Sequence, residues 1–176
     1  MRLFIAIQLS DGIRNSLSAV QTYLKDHGVR GNYTKIENLH LTLAFIGEYS
    51  DPDFVLDVIR SLPFAPFTIR IEGFGSFGDL YWCGIDENDH LLSYVKRLRR
   101  ALAENGVPFD RKKFSPHIML IRRAEYDRRR GFPGVAVPDV SMRVSGVSLM
   151  RSDRTKSGMV YTEPANKLSS PKLSLA

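Results

Sequence analysis

Two stretches far apart in the chain repeat one pattern: Asn38-Leu39-His40-Leu41-Thr42-Leu43 and, less faithfully, Ser115-Pro116-His117-Ile118-Met119-Leu120. Read as β-strands, their side chains alternate between two faces. His40 and Thr42 then share one face with Leu41 and Leu43 on the other, and His117 and Met119 oppose Ile118 and Leu120. An imidazole changes charge near neutral pH, so it serves as a base in one form and an acid in the other. Two of them brought together suit a phosphoester reaction without metal, in which the attacking oxygen loses a proton and the leaving oxygen gains one. A single histidine among apolar residues is most often structural; the repetition is what argues for a site.

The elements that must hold these strands are legible from hydrophobic period and punctuation. Residues 2–9 alternate as an opening strand, with Leu3, Ile5 and Ile7 on one face and Phe4 on the other. Ser10 then caps a helix whose stripe is Ile13, Leu17, Val20 and Leu24 and which stops at Gly28. Residues 29–36 are a short extended piece containing Tyr33, and 39–46 form the first histidine strand, ended by Gly47. Asp51-Pro52 opens a short helix with Val55, Val58, Ile59 and Leu62 on its buried side.

Residues 67–71 and 80–85 read as a hairpin joined through Gly73-Phe74-Gly75-Ser76-Phe77-Gly78. No Lys-Ser or Lys-Thr and no helix follow these glycines, so they are not a nucleotide phosphate loop. A helix over 88–105 buries Leu91, Val95, Leu98 and Leu102 and ends at Gly106. The second histidine strand, 115–122, follows a basic loop, and β segments near 142–150 and 159–162, with 153–158 as the turn, close the pattern. This order predicts an α+β fold, and it permits a pseudo-twofold arrangement of two small antiparallel sheets that would bring His40 and His117 together across a cleft.

At 176 residues the chain suits one domain, expected over 1–164, with 165–176 as a poorly ordered tail lacking an apolar period. Its 43% hydrophobic and 25% charged content is that of an ordinary globular core. The apolar run 3–7 is too short to span a membrane or to serve as a signal peptide, and Cys83 is the only cysteine, a buried strand residue by expectation. A cytoplasmic monomer is the expectation. Lys and Arg outnumber Asp and Glu by 25 to 19, which favours phosphorylated or polyanionic partners. There is no His-Glu-x-x-His, no cysteine pair and no acidic cluster near either histidine, so neither metal nor cofactor is expected. His27 and His90 have no motif around them and read as surface residues.

The residues 2–7 (Arg-Leu-Phe-Ile-Ala-Ile), Glu37-Asn38-Leu39-His40-Leu41-Thr42-Leu43 with Phe45-Ile46-Gly47-Glu48, and Phe114-Ser115-Pro116-His117-Ile118-Met119-Leu120 resemble the two-histidine (2H) phosphoesterases of the LigT type, also called 2′-5′ RNA ligases. The resemblance implies a bilobal fold, with helices flanking two sheets around a basic central cleft, and opening of RNA or nucleotide 2′,3′-cyclic phosphates to 2′-phosphomonoesters, with 2′-5′ ligation as the reverse chemistry. It makes His40 the proton donor, His117 the proton acceptor and Thr42 a phosphate ligand. The family's second threonine is replaced by Met119, whose thioether donates no hydrogen bond. Ser115, two residues before His117, and the basic pair Arg122 and Arg123 are the candidates to take over the phosphate grip; Tyr33 is the candidate for stacking on a base. The alternative, resting on Met119, is a module that binds RNA ends or cyclic phosphates with little catalysis. A third reading keeps the enzyme and changes the substrate to another small phosphodiester.

Overall fold

The opening strand is the axis of the first lobe. β1 (Arg2–Gln8) buries all five of its central side chains, Leu3 through Ile7, because it is covered on both faces. α1 (Asp11–Asp26) follows at once: Ser10 Oγ accepts from the Ile13 amide at 3.3 Å, and Ile13, Leu17, Val20 and Leu24 form the buried stripe. β2 (Arg30–Tyr33) leads through a short 3₁₀ turn, Ile36–Asn38, into β3 (His40–Glu48). α2 (Pro52–Arg60) is capped by Asp51, whose carboxylate accepts from the Phe54 amide at 3.1 Å. β4 (Phe67–Phe77) and β5 (Leu80–Ile85) form the hairpin, and α3 (Asp89–Glu104) is capped by Asn88. β6 (His117–Glu125), β7 (Ser141–Val144), β8 (Ser148–Thr155) and β9 (Gly158–Thr162) complete the computed structural model, which describes residues 1–164. The expected tail, 165–176, lies outside the described residues.

Three boundaries differ from the sequence reading. The glycine-rich stretch is not a connection but the second half of β4, which runs to Phe77, with only Gly78 and Asp79 in the turn. Residues 142–150 are not one β segment: Ser145-Gly146-Val147 breaks the chain between β7 and β8, which lie in different sheets. The 153–158 turn is tighter than expected, since Asp153 to Thr155 still pair with β9 and only Lys156 and Ser157 turn.

The fold is α+β, with two antiparallel sheets. The first has the order β3-β1-β8-β9 and the second β2-β6-β5-β4-β7. The sheets do not follow the halves of the chain: β2 crosses to pair with β6, and β8 and β9 return to pair with β1. Helices cover the outer faces, α1 against β6 and α3 against β3 and β4, and the buried apolar residues form one continuous cluster. Cys83 is fully buried on β5. No helix among the described residues is long and apolar enough to cross a membrane.

Candidate active site

Each histidine opens its strand, and each is fixed in the same way. His40 Nδ1 lies 2.6 Å from the Asn38 carbonyl oxygen and His117 Nδ1 lies 2.7 Å from the Ser115 carbonyl oxygen. A carbonyl only accepts, so in both rings Nδ1 carries hydrogen and Nε2 is left to exchange a proton. His40 Nε2 is 2.9 Å from Thr42 Oγ1, which donates to it while the ring is neutral. The His40 ring is held between Phe4, at 4.9 Å between centroids, and the edge of Tyr161, at 5.2 Å. Asn38 is itself anchored, its Nδ2 donating to the Met159 carbonyl at 2.8 Å.

The two strands then break register at the same place. Ala6 pairs with Thr42 and Ile5 with Ala44, which leaves Leu43 as an extra residue in β3; Trp82 pairs with Met119 and Tyr81 with Ile121, which leaves Leu120 as an extra residue in β6. A β-bulge inverts the alternation beyond it. The fifth residue after each histidine, which regular alternation assigns to the core, is turned into the cleft: Phe45 in β3 and Arg122 in β6. The carbonyl of each extra residue is taken up by a side chain from a helix. Arg99 on α3 donates to Leu43 O from Nε and Nη2 at 3.2 and 3.1 Å, and Gln21, buried on α1, donates to Leu120 O at 2.9 Å.

The two strands face a single cleft of about 660 Å³, lined from one side by His40, Thr42 and Phe45 and from the other by His117, Met119 and Arg122. This is the size of a small-ligand site. Burial pushes the His40 pKa below the usual 6.5; its bond to the Asn38 carbonyl opposes this, and the positive charges of Arg122, Arg14 and His117 add to it. Arg122 Nε donates to Met119 Sδ at 2.8 Å, so the thioether standing in place of a hydroxyl accepts from the guanidinium and orients it. The Arg2 guanidinium lies over the Phe45 ring at 5.1 Å.

Of the expected site residues, His40, Thr42, His117, Met119 and Arg122 line this cleft and Ser115, Arg123 and Tyr33 do not. Ser115 precedes β6, because Pro116 has no amide to pair, and it contributes its carbonyl to His117 rather than its hydroxyl to the cleft. Arg123 is exposed, with φ +52°, at a second irregularity where β6 faces Gly31 of β2. Tyr33 is tied back into its own lobe: its hydroxyl donates to the Val29 carbonyl at 2.7 Å, Lys25 lies over its ring, and burial pushes its pKa up to about 12. The aromatic rings that do line the cleft are Phe4, Tyr161 and, beyond the first motif's bulge, Phe45. Phe45 is among the residues that carry the family resemblance, but regular alternation turns it to the core, and its orientation depends on the bulge at Leu43. Among the described residues no three His, Cys, Asp or Glu side chains gather as a metal-ligand set.

Residues 10–156 match the 2′-5′ RNA ligase superfamily. The chain is 28% identical over 173 residues to the RNA 2′,3′-cyclic phosphodiesterase of Thermotoga maritima, covering 92% of this chain and 91% of the relative. It is 31% identical over 129 residues to the enzyme of the same name from Escherichia coli, covering 70% and 72%. Among solved structures, E. coli LigT complexed with 3′-AMP superposes with a TM-score of 0.79 at 25% identity, over 93% of this chain and 95% of that one. The chain belongs to the 2′-5′ RNA ligase superfamily, the LigT-type two-histidine phosphoesterases.

Proposed function

We propose that this protein hydrolyses 2′,3′-cyclic phosphates on RNA 3′ ends or nucleotides to 2′-phosphomonoesters, with His40 and His117 as the acid–base pair and no metal. The observation that carries this reading is the matched pair of rings in one cleft, each with Nδ1 locked on a backbone carbonyl, which leaves Nε2, in His40 beside Thr42 Oγ1, as the nitrogen that exchanges a proton. Water attacks phosphorus in line with O3′ and gives its proton to His117 Nε2. The P–O3′ bond breaks and O3′ takes the proton from His40 Nε2, leaving the phosphate on O2′. The non-bridging oxygens carry the developing charge, and Thr42 Oγ1 and the Arg122 guanidinium, which line the cleft from its two strands, donate to them. Phe45 offers a face for the base of the same nucleoside. Running these steps backwards with a 5′-hydroxyl in place of water joins two RNA ends through a 2′-5′ linkage. The curated names of the relatives and the 3′-AMP complex of the E. coli protein support a nucleotide substrate.

His40 titrates below its usual range in the free protein, yet a proton donor must be protonated. Two outcomes follow. On the alkaline side, kcat/KM falls from below pH 6.5, the fraction of protonated His40 setting the limb. An anionic phosphate beside the ring favours its charged form, so the matching limb in kcat lies at higher pH. Hydrolysis of a nucleoside 2′,3′-cyclic phosphate in EDTA, from about pH 5 to 9, tests the whole reading. Activity that disappears in EDTA and returns with a divalent ion sinks the metal-free mechanism.

A second reading is favoured by Met119, which lines the cleft and donates no hydrogen bond. If the parent chain binds a nucleotide 2′-phosphate tightly and turns over no cyclic phosphate, the protein is a binding module for RNA ends.

A further inference from the structure

One side chain lining the cleft carries a hydroxyl that nothing in the fold uses. Thr34 follows β2, and its backbone is tied on both sides: its amide donates to the Leu120 carbonyl at 3.0 Å, and its own carbonyl accepts from Gln21 Nε2 at 2.8 Å. Gln21 Nε2 also donates to Leu120 O at 2.9 Å, so one glutamine clamps Thr34 to the bulge of β6. Asn32 pairs with Arg122, and alternation puts Thr34, two residues on, on the face of Asn32. Thr34 accordingly lines the cleft with His117, Met119 and Arg122. Its hydroxyl is the exception to this order, for Thr34 Oγ1 is buried and has no hydrogen-bond partner among the described residues. An unpartnered buried hydroxyl costs stability that a methyl in its place does not.

The second histidine strand lacks a hydroxyl where the first has Thr42. Met119 Sδ accepts from Arg122 Nε at 2.8 Å and donates nothing, so of this pair only the guanidinium donates to an anion. We propose that Thr34 is a phosphate-binding residue: with a phosphate in the cleft its Oγ1 donates to a non-bridging oxygen beside Arg122, supplying from the end of β2 the hydroxyl that Met119 lacks. This rests on the proposed function, which puts the phosphate between the two motifs. The geometry needs one motion. Side chains occupy staggered wells about Cα–Cβ, and a turn from one well to another brings Oγ1 from its buried position to the cleft. Oγ1 gives up no hydrogen bond in turning, and the bonds to the Thr34 amide and carbonyl hold the pivot still.

Thr34→Val keeps the shape of the side chain and removes the hydroxyl, whereas Thr34→Ser keeps the hydroxyl. The test measures, on the full chain, kcat/KM for a nucleoside 2′,3′-cyclic phosphate, affinity for a nucleoside 2′-monophosphate by calorimetry, and the urea midpoint of unfolding. Thr34→Val lowers kcat/KM and affinity roughly tenfold, the size of one hydrogen bond to a charged group, while its urea midpoint is unchanged or higher. Thr34→Ser stays within about threefold of the parent in both. With Met119→Thr in place the loss caused by Thr34→Val shrinks, because the added hydroxyl reaches the same phosphate. Four results overturn the assignment: parental kcat/KM and affinity in Thr34→Val, an equal loss in Thr34→Ser, a loss undiminished by Met119→Thr, or a loss accompanied by a lower urea midpoint. Hydrolysis by the parent chain tests the underlying reading separately. A parent that binds the monophosphate without turnover removes the hydrolase and leaves Thr34 to be judged by affinity alone.

Discussion

The two histidine strands are built alike and finished differently. β3 and β6 both begin with histidine, both insert an extra leucine after the third residue, and both hand that leucine's carbonyl to a helix side chain. The side chains they present after the histidine then diverge: Thr42 and Phe45 on one strand, Met119 and Arg122 on the other. The shared part fixes where groups point, and the divergent part divides labour. One strand brings a hydroxyl and an aromatic face; the other brings a cation, oriented by a thioether. A backbone device common to both strands therefore permits a substitution such as Met119 without disturbing the geometry of the histidine two residues before it.

The comparison breaks most severely at the histidines. His40→Ala and His117→Ala each lower kcat by roughly 10²–10⁴-fold on a nucleoside 2′,3′-cyclic phosphate, because each removes one proton transfer. A residual rate within a few-fold of the parent in either variant removes that ring from the mechanism. Next is Arg122→Ala, which takes away a charged donor: kcat/KM falls by about 10–100-fold, the equivalent of a charge-assisted hydrogen bond of ~1.5–3 kcal/mol. The same variant deletes a positive charge that holds the His40 pKa down, so the alkaline limb of kcat/KM moves to higher pH. A limb that stays put or moves to lower pH refutes the role given to Arg122.

The bulges are tested by stability. Arg99→Met removes both guanidinium donors from Leu43 O, and Gln21→Leu removes the side-chain donor from Leu120 O, which keeps the Thr34 amide, and from Thr34 O; each costs about 1–3 kcal/mol of unfolding free energy, read by urea denaturation. Equal losses support the parallel between the strands; a loss confined to one of them breaks it. The smallest effect is that of Met119→Thr. It makes the second strand more like the first and adds one neutral donor, worth about 1 kcal/mol or roughly fivefold in kcat/KM. A decrease instead identifies the contact from Arg122 to Met119 as the more valuable arrangement.

The helices and the histidine strands are readable from the sequence, and Ser10 and Asp51 signal as caps through side chains next to the backbone they cap, whereas Asn88, read as the first residue of its helix, is that helix's cap. The repeated histidine motif carried the site for the same reason: Thr42 and Met119 are two residues from their rings, and alternation needs only local regularity. What failed depended on irregularity or distance. The facing of Phe45 is not legible and Arg123 reads as equivalent to Arg122, because a bulge flips faces and nothing in Leu43 or Leu120 announces one. Tyr33 looked like an exposed ring near the motif, whereas Val29 and Lys25 hold it in its own lobe. Met119 looked like a plain loss until Arg122 was placed against its sulfur. The exchange of β2, β8 and β9 between sheets is a matter of long-range pairing, which no local window contains.

That exchange sets an order of birth. As the chain leaves the ribosome, β1 and β3 can pair early, but β2 has to wait for β6, and one edge of β1 stays bare until β8 is made near the end. A bare strand edge recruits whatever strand it meets, so the nascent protein passes through a period in which mispairing is its main hazard. The cleft is assembled late, when both sheets close around it, and a chain cut in the loop between α3 and β6 yields two pieces of which neither contains a whole sheet.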